Sequence, residues 1–234
     1  MNFQDITSVT FGWNDLINKV KEGTPFDFSR YGDGEFECMF NKRNRPMNSD
    51  LHRYYPDLAE ALIRVLMDSP TYYLGLQSLA YRQKTDIIND LTEKYGLRWF
   101  KSNFIHNRNQ KFGLQDYFDV LKTRKVVIVG PPHLRKIDQY FPYDSFIETP
   151  LQNAWLAKDK IAEQIDKVID DAVISYSCGM MKCVLINQFH GRGTQLDNGS
   201  IFDPHCGVNT RSYHFDMEAG KGNESSAYFK MRNR

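Results

Sequence analysis

The sequence predicts a single α/β domain: a Rossmann-like, mostly parallel sheet with helices on both faces. Two short, mostly apolar runs, over residues 125–129 and 172–176, are typical of strands buried on both faces of a parallel sheet. Amphipathic stretches with a helical spacing of apolar residues alternate with the strand-like runs, as crossover connections require. The 234 residues are 41% hydrophobic and 14% aromatic, which is enough to bury one large core.

Glycine and proline mark the boundaries of the elements in the N-terminal half. Gly23 and Gly96 each follow an amphipathic stretch and predict the end of a helix, and Pro56 suits the first turn of another. Alternating apolar residues before Gly32 predict a strand that ends in a tight turn over 32–35. The elements expected here are a helix over 10–21, a strand over 26–31, a helix from Pro56, a strand over 71–76 and a helix over 86–95.

In the C-terminal half, apolar runs again predict strands and amphipathic stretches predict helices. The expected elements are helices over 114–121 and 154–169, a helix from the turn at 177–179 to Phe189, and strands over 125–129, 145–148, 172–176 and 193–196. No repeat or linker divides the chain, so residues 1–234 are expected to form one domain with a tail over 216–234. Since ligands of parallel sheets bind outside the carboxyl ends of the strands, the residues that follow each strand are the functional candidates.

Composition excludes several classes of protein. The charged fraction of 25% and the net charge of +1 are unlike those of a disordered chain or a polycation. No apolar run is long enough to span a bilayer, and the first residues lack the basic and apolar regions of a secretion signal. We therefore expect a cytoplasmic protein, in the host cytoplasm if a phage encodes it, with no membrane partner.

The four cysteines have no zinc-site spacing and are expected to be reduced. They are Cys38, Cys178, Cys183 and Cys206. A nucleophile pair of Cys206 with His205 is conceivable, but small buried thiols are the favoured interpretation.

The segment from Arg30 to Glu35 is the sharpest local motif. It places two carboxylates, Asp33 and Glu35, directly after a predicted strand, with glycine on either side of Asp33. Carboxylate oxygens suit Mg²⁺ or Mn²⁺, which commonly bind phosphate oxygens as well. Arg30 and Gly32 would then lie beside a diphosphate. The alternative is an acidic surface turn in which Arg30 forms an ion pair.

Two further turns after strands are candidates for the same site. Ser177 and Gly179 lead from a strand into a helix whose amides favour an anion, with Lys182 one turn further on. An ordinary strand–helix connection explains the same residues. In the last loop, Asp203 or His205 could activate an acceptor hydroxyl, although most histidines simply form hydrogen bonds.

Basic residues form clusters despite the neutral net charge. One cluster lies between Gly96 and Leu114 and includes Arg108 and Lys111, and aromatic residues are interspersed among its basic residues. Such a pattern suits a polyanionic acceptor, and solvated side chains on helices explain it equally well. The clusters are Lys42, Arg43, Arg45 and Arg53; Arg98, Lys101, Arg108 and Lys111; and Lys122, Arg124, Lys125, Arg135 and Lys136.

Taken together, five segments resemble the GT-D-fold glycosyltransferases, a family first catalogued as a domain of unknown function. They are Arg30 to Glu35; the apolar strand ending at Gly130; Asn153-Ala154-Trp155; the strand and turn from Ile174 to Val184; and Asp197 to Gly199, with Asp203 displaced by one residue from the family pattern. Their order and spacing agree over about residues 25–207. The chain departs from the family at residues 131–134, at Ser200 and at residues 203–205, where an acceptor would approach.

The resemblance implies a nucleotide-sugar donor, for example a UDP-sugar, and a divalent cation at Asp33 and Glu35. Gly130, Asn153 and Asp197 lie at predicted strand ends or helix starts within the matched segments, and we expect them in the donor site as well. We therefore expect a metal-dependent glycosyltransferase. Two acceptors stay open: hydroxymethylated cytosine in phage DNA, which the basic clusters suggest, and a protein-linked or cell-surface glycan, which the family suggests. A non-catalytic nucleotide- or nucleic-acid-binding protein is the alternative of another class, and a metal-dependent phosphoesterase is a third.

Overall fold

A parallel β-sheet lies at the centre of the structure. The computed structural model describes residues 1–40, 53–68, 70–105, 107 and 113–211, and within them one sheet has seven strands in the order β3-β2-β1-β7-β6-β4-β5, all parallel. The strands are β1 (Asp27–Tyr31), β2 (Tyr73–Leu76), β3 (Trp99–Lys101), β4 (Val126–Gly130), β5 (Ser145–Glu148), β6 (Val173–Tyr176) and β7 (Thr194–Asp197).

Helices connect the strands and cover both faces of the sheet. In the described residues the α-helices are α1 (Phe3–Ile6), α2 (Trp13–Glu22), α3 (Asp33–Phe40), α4 (Pro56–Met67), α5 (Ser78–Gln83), α6 (Thr85–Tyr95), α7 (Gln115–Leu121), α8 (Lys158–Asp166) and α9 (Met181–Gln188). Short 3₁₀ helices occupy Pro132–Gln139, Ala154–Ala157 and Pro204–Cys206. None of the helices in these ranges combines the length and apolar composition needed to cross a membrane.

The central strands supply the core on both sides because successive side chains point to opposite faces. In β4, Val127 and Val129 pack against the layer that contains α3, α4, α8 and α9. Val126 and Ile128 pack against the layer that contains α2, α7 and the 3₁₀ helix at Pro132–Gln139. All five residues of β1 and of β4 are buried. The predicted α/β class, with helices on both faces, is confirmed.

Three local predictions were wrong. Residues 99–101 form β3, for which no strand was predicted, and two of the aromatic residues between Gly96 and Leu114, Trp99 and Phe100, are fully buried in the core and so are closed to a polyanionic acceptor. The expected tight turn at 32–35 is the start of α3, whose first turn favours the acidic Asp33 and Glu35. The helix expected over 154–169 begins as a 3₁₀ turn and ends at Asp166. The predicted tail, 216–234, lies outside the described residues.

Candidate active site

The carboxyl edge of the sheet brings together most of the predicted site residues. Each of β1, β7, β6 and β4 ends at this edge, so the residues that follow them are neighbours in space although they are distant in sequence. They include Arg30 to Glu35 from β1 and α3, Asp197 at the end of β7, Ser177 to Gly179 after β6, and Gly130 at the end of β4.

Glu35 forms a buried ion pair with Lys182. The Lys182 Nζ lies 2.6 Å from Glu35 Oε1, and the backbone N–H of Gly32 donates to Glu35 Oε2 at 2.8 Å. Burial raises the pKa of Glu35, but Lys182 and the Gly32 N–H outweigh it, and the pKa lies below its usual value. The pair joins the first turn of α3 to the first turn of α9.

Asp197 extends this pair into a network of four charges. Its carboxylate accepts hydrogen bonds from the Arg30 backbone N–H at 2.9 Å and from Arg30 Nη2 at 3.0 Å, and Lys182 Nζ lies 3.4 Å away. Although burial lowers the pKa of Lys182, Asp197 and Glu35 raise it overall. Arg30, Glu35, Lys182 and Asp197 are each at most 7% exposed. The two positive and two negative charges therefore balance one another inside the protein.

Gly199 lets Arg30 reach this position. A Cβ on Gly199 would lie 2.5 Å from Arg30 Nη2, and the φ of Gly199 is +56°, a conformation that side chains disfavour. The Asp197 to Gly199 segment thus fits around the arginine, which gives a structural reason for a glycine in this loop.

Asp33, in contrast to Glu35, is exposed. It is the first residue of α3 and lies directly after Gly32 at the end of β1. Partial desolvation and the negative charge of Glu35 raise the pKa of Asp33. The two carboxylates of the motif therefore have different surroundings: one is fixed inside the protein and the other faces solvent.

Asp33 is the carboxylate of the motif that is open to a divalent cation, whereas Glu35 is buried and paired. Both oxygens of Glu35 already have partners. Among the residues the structure describes, no group of three His, Cys, Asp or Glu side chains could hold a metal by themselves. Mg²⁺ and Mn²⁺ sites often use one or two carboxylates together with substrate phosphates, and Asp33 meets that requirement.

A shallow cleft with a volume of about 10 Å³, room for one water molecule, lies beside the loops after β5 and β6. Its walls include Tyr55, Trp155 and Met180, together with Asn153, which has the left-handed φ of +57°. The Asn153 side chain accepts a hydrogen bond from the Arg53 backbone N–H at 2.8 Å. The Trp155 indole N–H donates to Asp57 at 2.8 Å. These bonds hold an amide and an aromatic ring at the edge of the cleft.

Ser177, Gly179 and Gly130 lie at the centre of the edge. A Cβ on Gly130 would lie 2.7 Å from Leu134 and 3.2 Å from the Ser177 Cβ, so the strand end is closely packed there. The Ser177 Oγ has no hydrogen-bond partner among the described residues and almost no exposed surface, so a ligand reaches it only if its surroundings move. Gly179 is exposed and has a φ of +67°.

The last loop contains a pair that the sequence analysis missed. Asp203 is buried, and its Oδ1 lies 2.9 Å from the Nε2 of His133. The predicted His205 packs edge-on against Phe118 and Tyr140, and burial lowers its pKa. His133 follows the end of β4. The principle that ligands bind beyond the carboxyl ends of parallel strands could therefore have identified it from the sequence.

The described basic residues lie at both edges of the sheet. Arg98 precedes β3, and Lys122 to Lys125 precede β4, which places them at the amino edge. Arg135 lies after β4 at the carboxyl edge, where it pairs with Glu148. The predicted acceptor residues Arg108 and Lys111 lie outside the described residues.

Solved structures share this fold at low sequence identity. No protein-family model matches the chain, and no curated protein matches it. A selenomethionine structure of domain of unknown function 1792 has 18% identity and a TM-score of 0.61, and the match covers 97% of this chain and 95% of the other. A structure described as showing that this domain "has a distinct glycosyltransferase fold" has the same identity and coverage and a TM-score of 0.60.

A third match is a structure described as a new glycosyltransferase (DUF1792) from Streptococcus sanguinis. It has 19% identity and a TM-score of 0.58, and the match covers 82% of this chain and 81% of the other. The expected GT-D type of architecture therefore agrees with the solved structures. The chain has the fold of the DUF1792 structures, a fold described as that of a glycosyltransferase.

Proposed function

We propose that the protein is a metal-dependent glycosyltransferase that moves a sugar from a nucleotide-sugar donor to an acceptor hydroxyl. The observation that carries the proposal is the exposed carboxylate of Asp33 at the carboxyl edge of the sheet. It stands next to a buried, internally balanced charge network in a fold that solved glycosyltransferase-like structures share. This edge is where parallel sheets bind their ligands.

The requirement for a cation follows from the charge of Asp33. A carboxylate beside a donor diphosphate repels it unless a cation lies between them, and Mg²⁺ or Mn²⁺ has the oxygen preference for both groups. When bound, the cation neutralises the negative charge that develops on the leaving nucleotide. Glu35 positions the first turn of α3, and therefore Asp33, through its bonds to Lys182 and to the Gly32 N–H.

The donor occupies the carboxyl edge between Asp33 and the cleft at Asn153. The Ser177 hydroxyl and the backbone near Gly179 lie between these two points and suit the phosphates. Trp155 and Tyr55 line the cleft and are half-buried, and their rings supply aromatic surface on which a nucleobase such as uracil would stack. The charged groups of Arg30, Lys182 and Asp197 are paired with one another. These residues therefore affect the donor indirectly, by fixing the positions of the turns around it.

The acceptor hydroxyl approaches the loop that contains Asp203 and His205. Because the described basic residues lie at both edges of the sheet, we favour a glycan hydroxyl over a polyanion. Hydroxymethylated DNA is the competing acceptor in the test. Binding of the protein to such DNA would weaken steeply with salt, by about one unit of slope for each phosphate contacted, whereas glycan binding would not.

The first test measures nucleotide release from a panel of nucleotide sugars with Mn²⁺, without acceptor and then with each acceptor. The variant Asp33→Asn should abolish transfer, and chelator should do the same to the unchanged protein. The raised pKa of Asp33 means that the folded state disfavours its negative charge. Removal of that charge in Asp33→Asn should therefore not lower the melting temperature.

The control for this test is Asp86→Asn. Asp86 is also an exposed aspartate in the first turn of a helix, α6, and has no place in the site. Its variant should keep full activity. Full activity in Asp33→Asn, or tight donor binding without any turnover in the unchanged protein, would contradict the proposal.

A further inference from the structure

The His133–Asp203 pair has the geometry of a proton-accepting dyad. Its two side chains come from loops 70 residues apart in sequence, one after β4 and one after β7. The His133 side chain is 16% exposed and that of Asp203 is 7% exposed. An imidazole with limited access to solvent is thus joined to a buried carboxylate, an arrangement in which the carboxylate orients the ring and stabilises its protonated form.

Asp203 is held firmly by the surrounding loop. Its second carboxylate oxygen accepts a hydrogen bond from the Thr210 hydroxyl. Its backbone carbonyl accepts from the N–H groups of Cys206 and Val208, and its own N–H donates to Ser200. An aspartate fixed at so many points presents its Oδ1 to His133 in one direction, so it can set the orientation of the ring.

The contact to Asp203 determines which nitrogen of His133 is basic. A carboxylate only accepts hydrogen bonds, so the neutral ring carries its hydrogen on Nε2, which faces Asp203 at 2.9 Å. The lone pair then lies on Nδ1. Within the described part of the chain, Nδ1 has no hydrogen-bond partner, and it is available to accept a proton.

The location of His133 suits an acceptor site. Between β1, which ends two residues before Asp33, and β4, which ends before His133, lie β7 and β6. Three strand spacings correspond to about 14 Å. A donor whose phosphates lie near Asp33 thus has room for a sugar and an acceptor hydroxyl between them and His133. His205 is less suitable because its ring is packed between Phe118 and Tyr140.

We propose that His133 is the base that removes the proton from the acceptor hydroxyl, with Asp203 as its positioning residue; this inference rests on the proposed function. The acceptor oxygen forms a bond to the anomeric carbon of the donor sugar while its proton moves to Nδ1 of His133. The bond from the anomeric carbon to the diphosphate breaks, and its electron pair leaves with the nucleotide. His133 then releases the proton to solvent. Attack opposite the leaving group inverts the anomeric configuration.

The test compares two nucleophiles in the full-length protein with its donor and Mn²⁺. The variant His133→Gln should lower kcat for transfer to the acceptor hydroxyl by about 10²- to 10⁴-fold and leave the donor KM unchanged. Azide is already an anion and needs no base, so formation of the glycosyl azide should proceed at the wild-type rate. Asp203→Asn should also impair transfer to the hydroxyl, because an amide that donates to Nε2 moves the ring hydrogen to Nδ1.

The control is His190→Gln, which alters another histidine–aspartate pair, His190 with Asp27, at the amino edge of the sheet. That variant should transfer sugar to hydroxyl and azide like the wild type. Equal losses with hydroxyl and azide in His133→Gln, or no loss with either, would overturn the role of His133 while leaving the proposed function standing. An unchanged protein that turns over no donor would overturn both.

Discussion

At the residue scale, Lys182 and Glu35 determine how the site is held. Both side chains are almost completely buried, and their closest contact is 2.6 Å. A buried ion pair contributes less to stability than its distance suggests, because both groups lose their hydration. Removal of one partner is nevertheless costly, since the other charge stays buried. The pair therefore fixes the relative positions of α3 and α9 more than it adds to overall stability.

The variant Glu35→Gln should lower the free energy of unfolding at pH 7 by about 3 kcal/mol, the lower end of the range for breaking a buried pair. The lower end applies because Asp197 still lies near Lys182. Urea unfolding measures the change. Glu60→Gln is the control: it breaks an ion pair with Arg64 in which both side chains are more than half exposed, so it should cost less than about 1 kcal/mol.

The same variant should change how stability depends on pH. The pKa of Glu35 is lowered in the folded state, so its contribution is present above its unfolded pKa of about 4.3 and is lost as the pH falls through the folded value. The pKa of Lys182 is raised, so its contribution is complete below about pH 10.4 and is lost only at higher pH. Glu35→Gln should thus show a smaller acid-induced loss than the wild type, and identical acid profiles would contradict this assignment.

At the scale of elements, glycines with positive φ end helices and connect them to strands. Gly96 ends α6 with a φ of +62°, and a Cβ there would meet nothing within 4 Å. Gly193 precedes β7 with a φ of +63°, but a Cβ there would lie 2.5 Å from the carbonyl oxygen of Ile169. The two positions share one backbone conformation and differ in the space beside it.

The pair of variants Gly96→Ala and Gly193→Ala separates conformational strain from steric conflict. Gly96→Ala should lower the free energy of unfolding by about 1–2 kcal/mol, the penalty for a side chain in the left-handed region. Gly193→Ala should cost clearly more, because its methyl group would also collide with backbone atoms that cannot rotate away. Thermal unfolding of both variants measures the difference, and equal melting temperatures would show that the loop at Gly193 relaxes freely.

At the scale of the whole molecule, one sheet separates two apolar layers. Leu62 of α4 lies in one layer and Leu16 of α2 in the other, and both are fully buried. Because β1 and β4 contribute side chains to both layers, neither layer can lose its packing without disturbing the strands that support the other. The described part of the chain should therefore unfold as one unit.

Leu62→Ala and Leu16→Ala should each lower the free energy of unfolding by about 2–5 kcal/mol, as expected for a cavity in a packed core. In both variants, tryptophan fluorescence and far-ultraviolet circular dichroism should report the same transition, as they should in the wild type. Two separate transitions, with each variant shifting only one of them, would show that the layers unfold independently.

Local patterns were sufficient to predict the elements whose signal comes from nearby residues. The continuous apolar run of β4, the glycine stops at Gly23 and Gly96, and Pro56 at the start of α4 all agree with the structure. β3 was not predictable in this way, because a strand of three residues has too little periodicity and its burial depends on pairing with β2.

The sequence by itself determined the α/β class and the edge of the sheet where the site residues gather, because apolar runs and glycine turns are properties of short segments. Only the tertiary structure decided what each site residue does. It placed Glu35 against Lys182 across 147 residues, left Asp33 in solvent, and joined His133 to Asp203. The physical reason is that burial and charge partners depend on contacts between distant segments, and two carboxylates one residue apart carry no local sign of which one the fold will bury.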